Sequence, residues 1–224
     1  MKGLLTTTIL LVSLLGYNDA TDAAGEPQKV SLEFFVMSHC PGAVVIDSML
    51  FQERTDFNQD ARFCERFFNP IVQQLAPILN VSMHYIGGEK NGQFECMHGP
   101  TECMDNRMQL CAREQTEKWW DFVIEQDGGA STATSNDWNT TALRECAISQ
   151  RGAQLLSESF RYTESKGVKK SCTMFIQGKL FCVHDGTWKK CKTHDEKKIV
   201  QYLCSHYTGE SKPAACTQPI IVSQ

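Results

Sequence analysis

Cys40-Pro41-Gly42-Ala43 follows the apolar run Val30 to Met37 and has the outline of a redox-active turn with a single sulfur. In a Cys-x-x-Cys site the first thiolate attacks a disulfide, and the second cysteine resolves the mixed disulfide by intramolecular attack. Ala43 stands where that second sulfur would be, so ordinary dithiol turnover is expected to be lost or severely slowed. A mixed disulfide at Cys40 would then be released by an external thiol or by another cysteine that reaches it. Cys64 is one such resolver, although a structural role suits it better. His39 flanks the thiol: protonated it would lower the thiol pKa, and as a solvated turn residue it would not act at all.

The remaining cysteines point to export. The chain has 224 residues and eleven cysteines, which suits an oxidising compartment where most pair as structural disulfides. The spacing is irregular and no tight pair of C-x2-C knuckles occurs, so neither a metal site nor a cofactor is expected. Cys182 and Cys191 bracket Asp185-Gly186, and Cys204 and Cys216 would tie a last helix to the tail; these four are disulfide candidates. Met1-Lys2, the apolar run Leu4 to Leu15 and the small residues to Ala24 read as a signal peptide, residues 1–24, cleaved between about 20 and 24. That run is shorter than the roughly 20 apolar residues of a membrane span, and no later run is long enough. Asn80-Val81-Ser82 and Asn139-Thr140-Thr141 are glycosylation sequons at Asn80 and Asn139. A net charge of -4 gives no basic surplus, which argues against nucleic acid or anionic membrane as partner.

The elements that must position the turn follow from periodicity. Val30, Leu32, Phe34 and Val36 share one face of a central strand. Residues 44–63 read as a helical start and then a loop. Phe68, Ile71, Val72, Leu75 and Leu79 mark a crossover helix with Pro70 in its first turn, and Asn80 to Ile86 a second, parallel strand ended by Gly87-Gly88. One amphipathic helix is expected from Met104 through Val123 to Gly128-Gly129, and another, capped by Asn139 or Thr140, runs to about Phe160. Thr173 to Ile176 and Lys179 to Val183 flank the hairpin turn Gln177-Gly178, and Thr193-x-x-Glu196 reads as the capping box of a last helix. The order β-α-β, helices, β-β-α predicts an α/β, thioredoxin-like fold with a helical insertion, disulfide-rich.

Residues 96 to 111 read C-x-H-G-x2-E-C-x2-N-x4-C, with Cys96, His98, Gly99, Glu102, Cys103, Asn106 and Cys111 as the fixed positions. This closely resembles the signature of the gamma-interferon-inducible lysosomal thiol reductase (GILT) family, whose usual form has Gln where Met97 stands. Glu145-Cys146-Ala147, Arg151-Gly152, the Gln177 hairpin and the Leu203 to Cys216 stretch extend the resemblance over roughly Val30 to Cys216. It implies a secreted or lysosomal glycoprotein whose active relatives reduce protein disulfides at acidic pH. His98 and Glu102 would serve as acid and base, or the three cysteines would staple the insert while His98, Glu102 and Asn106 satisfy buried backbone groups; the second reading is preferred. Lying far from Cys40 in sequence, the motif is expected to identify the family without locating its chemistry.

Departures from the family converge on the turn. Besides Ala43, the segment after Cys40 is long, and Cys172 falls where a thioredoxin fold places a cis-proline. A non-proline cis bond costs about 2.5–4 kcal/mol, so that loop is expected to be trans and reshaped. A Cys40–Cys172 disulfide would lock the site. The expected organisation is one domain over residues 25–216 with an insert over about 96–160, then a tail, 217–224. The expected function is binding of a protein or cell-surface partner outside the cell, or in the lysosome, by a GILT-like protein with a degenerate CxxA site. The alternative is a monothiol oxidoreductase using Cys40 with an external thiol, Cys64 or Cys172.

Overall fold

The computed structural model describes residues 27–39, 60–127 and 138–217. Cys40 to Ala43, the helical start and loop up to residue 59, the signal segment, Gly128-Gly129 and residues 131–136 lie outside the described residues.

β1 (Val30–Val36) is the middle of the molecule because both its faces are apolar enough to be covered. Val30, Leu32, Phe34 and Val36 are wholly buried, as the alternation predicts, and so is Phe35 on the opposite face. Phe34 meets Phe68 of α1 (Asp60–Leu75) and Trp120 of α3 (Trp119–Asp127), with ring centroids 5.2 and 5.3 Å apart. Phe35 stacks beside Tyr162 of α5 (Gln150–Ser165), whose hydroxyl donates to the buried Glu33 at 2.5 Å. β1 pairs in parallel with β2 (Leu79–Tyr85) and antiparallel with β5 (Thr173–Ile176). β6 (Lys179–His184) and β7 (Trp188–Lys189) complete a five-stranded sheet in the order β2-β1-β5-β6-β7. With α6 (Glu196–His206) packed beside α1, this β-α-β plus β-β-α arrangement is a thioredoxin-like fold with a helical insertion.

Several boundaries differ from expectation for local chemical reasons. α1 starts at Asp60, so Pro70 lies inside the helix instead of in its first turn. Gly87-Gly88 does not end the sheet region: a small hairpin follows, β3 (Gly88–Lys90) and β4 (Gln93–Glu95), turning at Asn91-Gly92 with φ of 53° and 74°. The helix expected from Met104 begins at Pro100 as α2 (Pro100–Gln115) and stops before α3. At the break Thr116 is extended and its hydroxyl accepts from the Lys118 amide, a local bond that competes with the helix. The next helix is likewise split, into α4 (Thr140–Ile148) and α5, by Ser149, whose hydroxyl accepts from the Arg151 amide. Asn139 caps α4 through the Ala142 amide. Asp195, not Thr193, caps α6 by accepting from the Lys198 amide, which corrects the capping-box expectation.

Disulfides join Cys96 to Cys103, Cys111 to Cys146, Cys182 to Cys191 and Cys204 to Cys216, with Cα separations of 5.6, 6.1, 4.0 and 5.5 Å. The second ties α2 to α4 around a small satellite core of Ala112, Phe122, Leu143 and Ala147. No helix among the described residues is long and apolar enough to cross a membrane.

Candidate redox site

The end of β1 delivers Met37, Ser38 and His39 to a junction of three elements, and Cys40 is the next residue of the chain. The Met37 amide donates to Ser171 Oγ at 3.0 Å, fastening the strand end to the approach to β5. Ser38 Oγ donates to Asn106 Oδ1 at 2.5 Å, and the His39 amide donates to Glu102 Oε1 at 3.3 Å. His39 Nε2 lies 2.6 Å from Asp105 Oδ2, and Gln126 Nε2 of α3 donates to the other Asp105 oxygen at 3.3 Å.

The first two turns of α2 therefore hold Ser38 and His39, the last described residues before Cys40. Gly99, with φ of 92°, sets the entry into the helix in a backbone region that side chains rarely adopt, and Pro100 follows at its first position. Glu102 is fully buried and accepts from the amide of His98 (2.8 Å) as well as from His39, with His98 Nδ1 3.1 Å from Oε1. Asn106, also fully buried, accepts from Ser38 and approaches Cys96 Sγ at 3.8 Å. The Cys96–Cys103 disulfide holds the turn that carries them. Glu102 and Asn106 thus satisfy buried groups, and the expectation that the motif stands apart from the chemistry is corrected: it grips the two residues before Cys40.

The hydrogen bond to Asp105 raises the pKa of His39 above its usual value; burial opposes this, and the Asp105, Glu102 and Asp127 charges assist. A histidine held in its charged form next to a cysteine favours the thiolate.

On the other side of the junction the Ser171–Cys172 peptide is cis, which corrects the expectation of a trans loop. Backbone partners hold this position in place of a proline ring: the Cys172 amide donates to His184 O at 2.7 Å and the His184 amide to Cys172 O at 2.8 Å. Cys172 is a wholly buried free thiol; Cys40, its partner in a disulfide that would lock the site, lies outside the described residues. Cys64 on α1 is also wholly buried.

Sequence reasoning did not find Asp105, Gln126, Glu65 or Asp127. Glu65 and Asp127 are buried carboxyls that face each other from α1 and α3. Burial, reinforced by the Asp127 charge, holds the Glu65 carboxyl well above the usual carboxylate range. Burial also pushes Asp127 up to about 7, against the hydrogen bonds from Glu65 and Gln109. Gln109 Nε2 donates to Asp127 Oδ1 at 2.8 Å while its oxygen accepts from the Tyr85 hydroxyl at 2.5 Å. The sequons lie apart from this junction. Asn80 is exposed on β2, an edge strand of the sheet. Asn139 is exposed, and its side-chain oxygen accepts from the Ala142 amide.

Among known proteins, the family model described as gamma interferon inducible lysosomal thiol reductase (GILT) matches residues 31–150. The gamma-interferon-inducible lysosomal thiol reductase of Mus musculus is 23% identical over 172 residues, 69% of this chain and 65% of the mouse protein. The match thus covers less than two thirds of that relative's length. Solved structures that resemble the chain include DsbA2 of Pseudomonas aeruginosa, 13% identical with a TM-score of 0.49, covering 80% of this chain and 91% of that one. Reduced DsbA1 of Neisseria meningitidis is 8% identical with a TM-score of 0.48, covering 82% of this chain and 93% of that one.

Proposed function

Because the chain belongs to the gamma-interferon-inducible lysosomal thiol reductase family, we propose that it is an exported glycoprotein that performs single-thiol exchange at Cys40 on disulfide-bearing protein partners. The observation that carries this reading is His39, held beside Cys40 by Asp105 and by the signature helix. A turn that had become mere scaffold would have no use for a buttressed histidine whose charged form is favoured. The Cys40 thiolate attacks one sulfur of a partner disulfide, a Cys40–partner disulfide forms, and the other partner sulfur leaves as a thiolate that takes a proton from solvent. With Ala43 in the resolver position, the covalent complex persists until an external thiol attacks it, freeing Cys40 and leaving that thiol on the partner. Cys64 and Cys172 are poorer resolvers, since buried thiols away from solvent are inert.

Ala43 itself favours a second reading, in which the protein works by binding a protein or cell surface without turnover. The leader at residues 1–24, one domain over 25–216, and glycans on Asn80 and Asn139 belong to the proposal in either form, with the extracellular space or the lysosome as its place.

A disulfide-reduction assay with glutathione as external thiol separates the two readings. The native chain should reduce a protein disulfide faster than Cys40→Ser by roughly tenfold or more, because the serine hydroxyl cannot attack a disulfide. Equal rates would leave only the binding reading. Ala43→Cys should add turnover that is less dependent on glutathione concentration.

A further inference from the structure

The buried carboxyls Glu65 and Asp127 have no part in the exchange chemistry just described. With both groups ionised, neither oxygen of Glu65, nor Asp127 Oδ2, has a hydrogen-bond donor among the described groups; a proton on Glu65 supplies one to Asp127. Glu65 is 1% exposed and Asp127 6%, so solvent does not supply one. Two ionised carboxylates cannot lie together in such a place without large cost, whereas one proton shared between them gives each a partner. The pair also sits on a lever. Asp127 is the last residue of α3, and its neighbour Gln126 is the residue that steadies Asp105 against His39.

We propose that the Glu65–Asp127 pair is a proton-operated latch on the redox site: with a shared proton it fastens α3 to α1 and keeps Gln126 on Asp105, and on losing that proton it releases the end of α3. The stabilising half of this proposal concerns the fold alone, and its effect on the site rests on the single-thiol reading above. The groups around the pair are consistent with it. Glu65 is faced by Asp127, by Cys172 and by Arg62 one turn back on α1, the guanidinium being the only one that favours its ionised form. Asp127 is faced by Glu65 and Gln109, by Asp105, whose charge resists ionisation, and by His39, whose charge favours it. The Tyr85 hydroxyl is wholly buried nearby, and burial followed by the Asp127 and Glu65 charges raises its pKa.

The sign follows from linkage. The folded pair holds its shared proton at a pH where both carboxyls of the unfolded chain have lost theirs, so the folded state is favoured in acid. That advantage is lost as pH rises towards and through the Asp127 value of about 7. The device suits an acidic compartment.

The test uses the purified full chain, with thermal unfolding followed between about pH 5 and pH 8. The native midpoint should fall by about 5 °C or more across that range, and Glu65→Gln and Asp127→Asn, which remove one ionisable carboxyl each, should cut the fall by at least about half. The His39 amide, which donates to Glu102, should lose hydrogen-exchange protection with rising pH in the native chain and keep it in Glu65→Gln. Variants that fall in parallel with the native chain would overturn the latch. If the variants do not fold, the carboxyl carbon shift of Asp127 in the native chain decides. A midpoint above about pH 6 supports the proposal, and one near the ordinary value of about 3.9 overturns it. Cys40→Ser should keep the native pH profile of unfolding, so failure of the exchange reading and failure of the latch are told apart.

Discussion

Asp105 reaches His39 across 66 positions of the chain, and that contact is the largest influence on the charge of His39. Its removal has a definite sign. His39 is held in its charged form above its usual titration range by the Asp105 hydrogen bond, so in Asp105→Asn the imidazole should lose its proton at lower pH. The Cys40 thiolate then loses a neighbouring cation. Alkylation of Cys40 by iodoacetamide near pH 6–7 should slow roughly three- to tenfold in Asp105→Asn, and as much in His39→Ala. Equal alkylation rates would show that the histidine does not tune the thiol. At this scale sequence showed half of the pair. Cys40, Ala43 and His39 are contiguous and speak for themselves, whereas Asp105 is one acidic residue among many until the fold brings α2 against the end of β1. The same holds for Glu65 and Asp127, whose significance is their burial, which no local pattern of charge displays.

Elements were more legible, because strands and helices declare themselves by period. β1, β2 and the β5–β6 hairpin lie where alternation and the Gln177-Gly178 turn put them, the turn having φ of 49° and 68° at its two residues. The failures have a common cause: a single hydroxyl that bonds its own backbone outweighs a helical period. Thr116 and Ser149 each end a helix in this way, and apolar spacing on either side continues as if nothing had happened. Asn91-Gly92 was an available hairpin signal, masked by three-residue strands too short to alternate. The α4–α5 corner at Ser149 also makes a strict demand on Gly152, where a Cβ would come within 2.5 Å of Cys146 O and 2.6 Å of Ala147 O. Both neighbours are backbone, so neither can rotate away. Gly152→Ala should destabilise the chain by about 1–3 kcal/mol, measured by chemical denaturation, and no loss would mean that the corner can open.

For the molecule as a whole, pH acts on stability from two directions. His84, beside Phe35 and Tyr162, is held neutral: burial and the Arg113 and Lys166 charges bring its pKa to about 3. A histidine whose folded pKa is depressed costs stability as pH falls below 6.5, because the unfolded chain takes up a proton that the folded chain refuses. The carboxyl pair acts in the opposite sense, so the two titrations oppose each other in mild acid. In His84→Gln the loss of stability below about pH 6 should shrink, while behaviour above pH 7 stays native; an unchanged acid limb would assign that loss to other groups. The Cys96–Cys103 bridge gives the whole protein a different kind of limit. It pins the turn that steadies the residues before Cys40, yet it is made of the bond type that the external thiol attacks. Small molecules that release Cys40 from its partner will, at high enough dose, cut this pin as well. Exchange rate plotted against thiol concentration should therefore climb, pass a maximum and decline, and replacing Cys96 and Cys103 together by Ala should lower the climb and erase the decline.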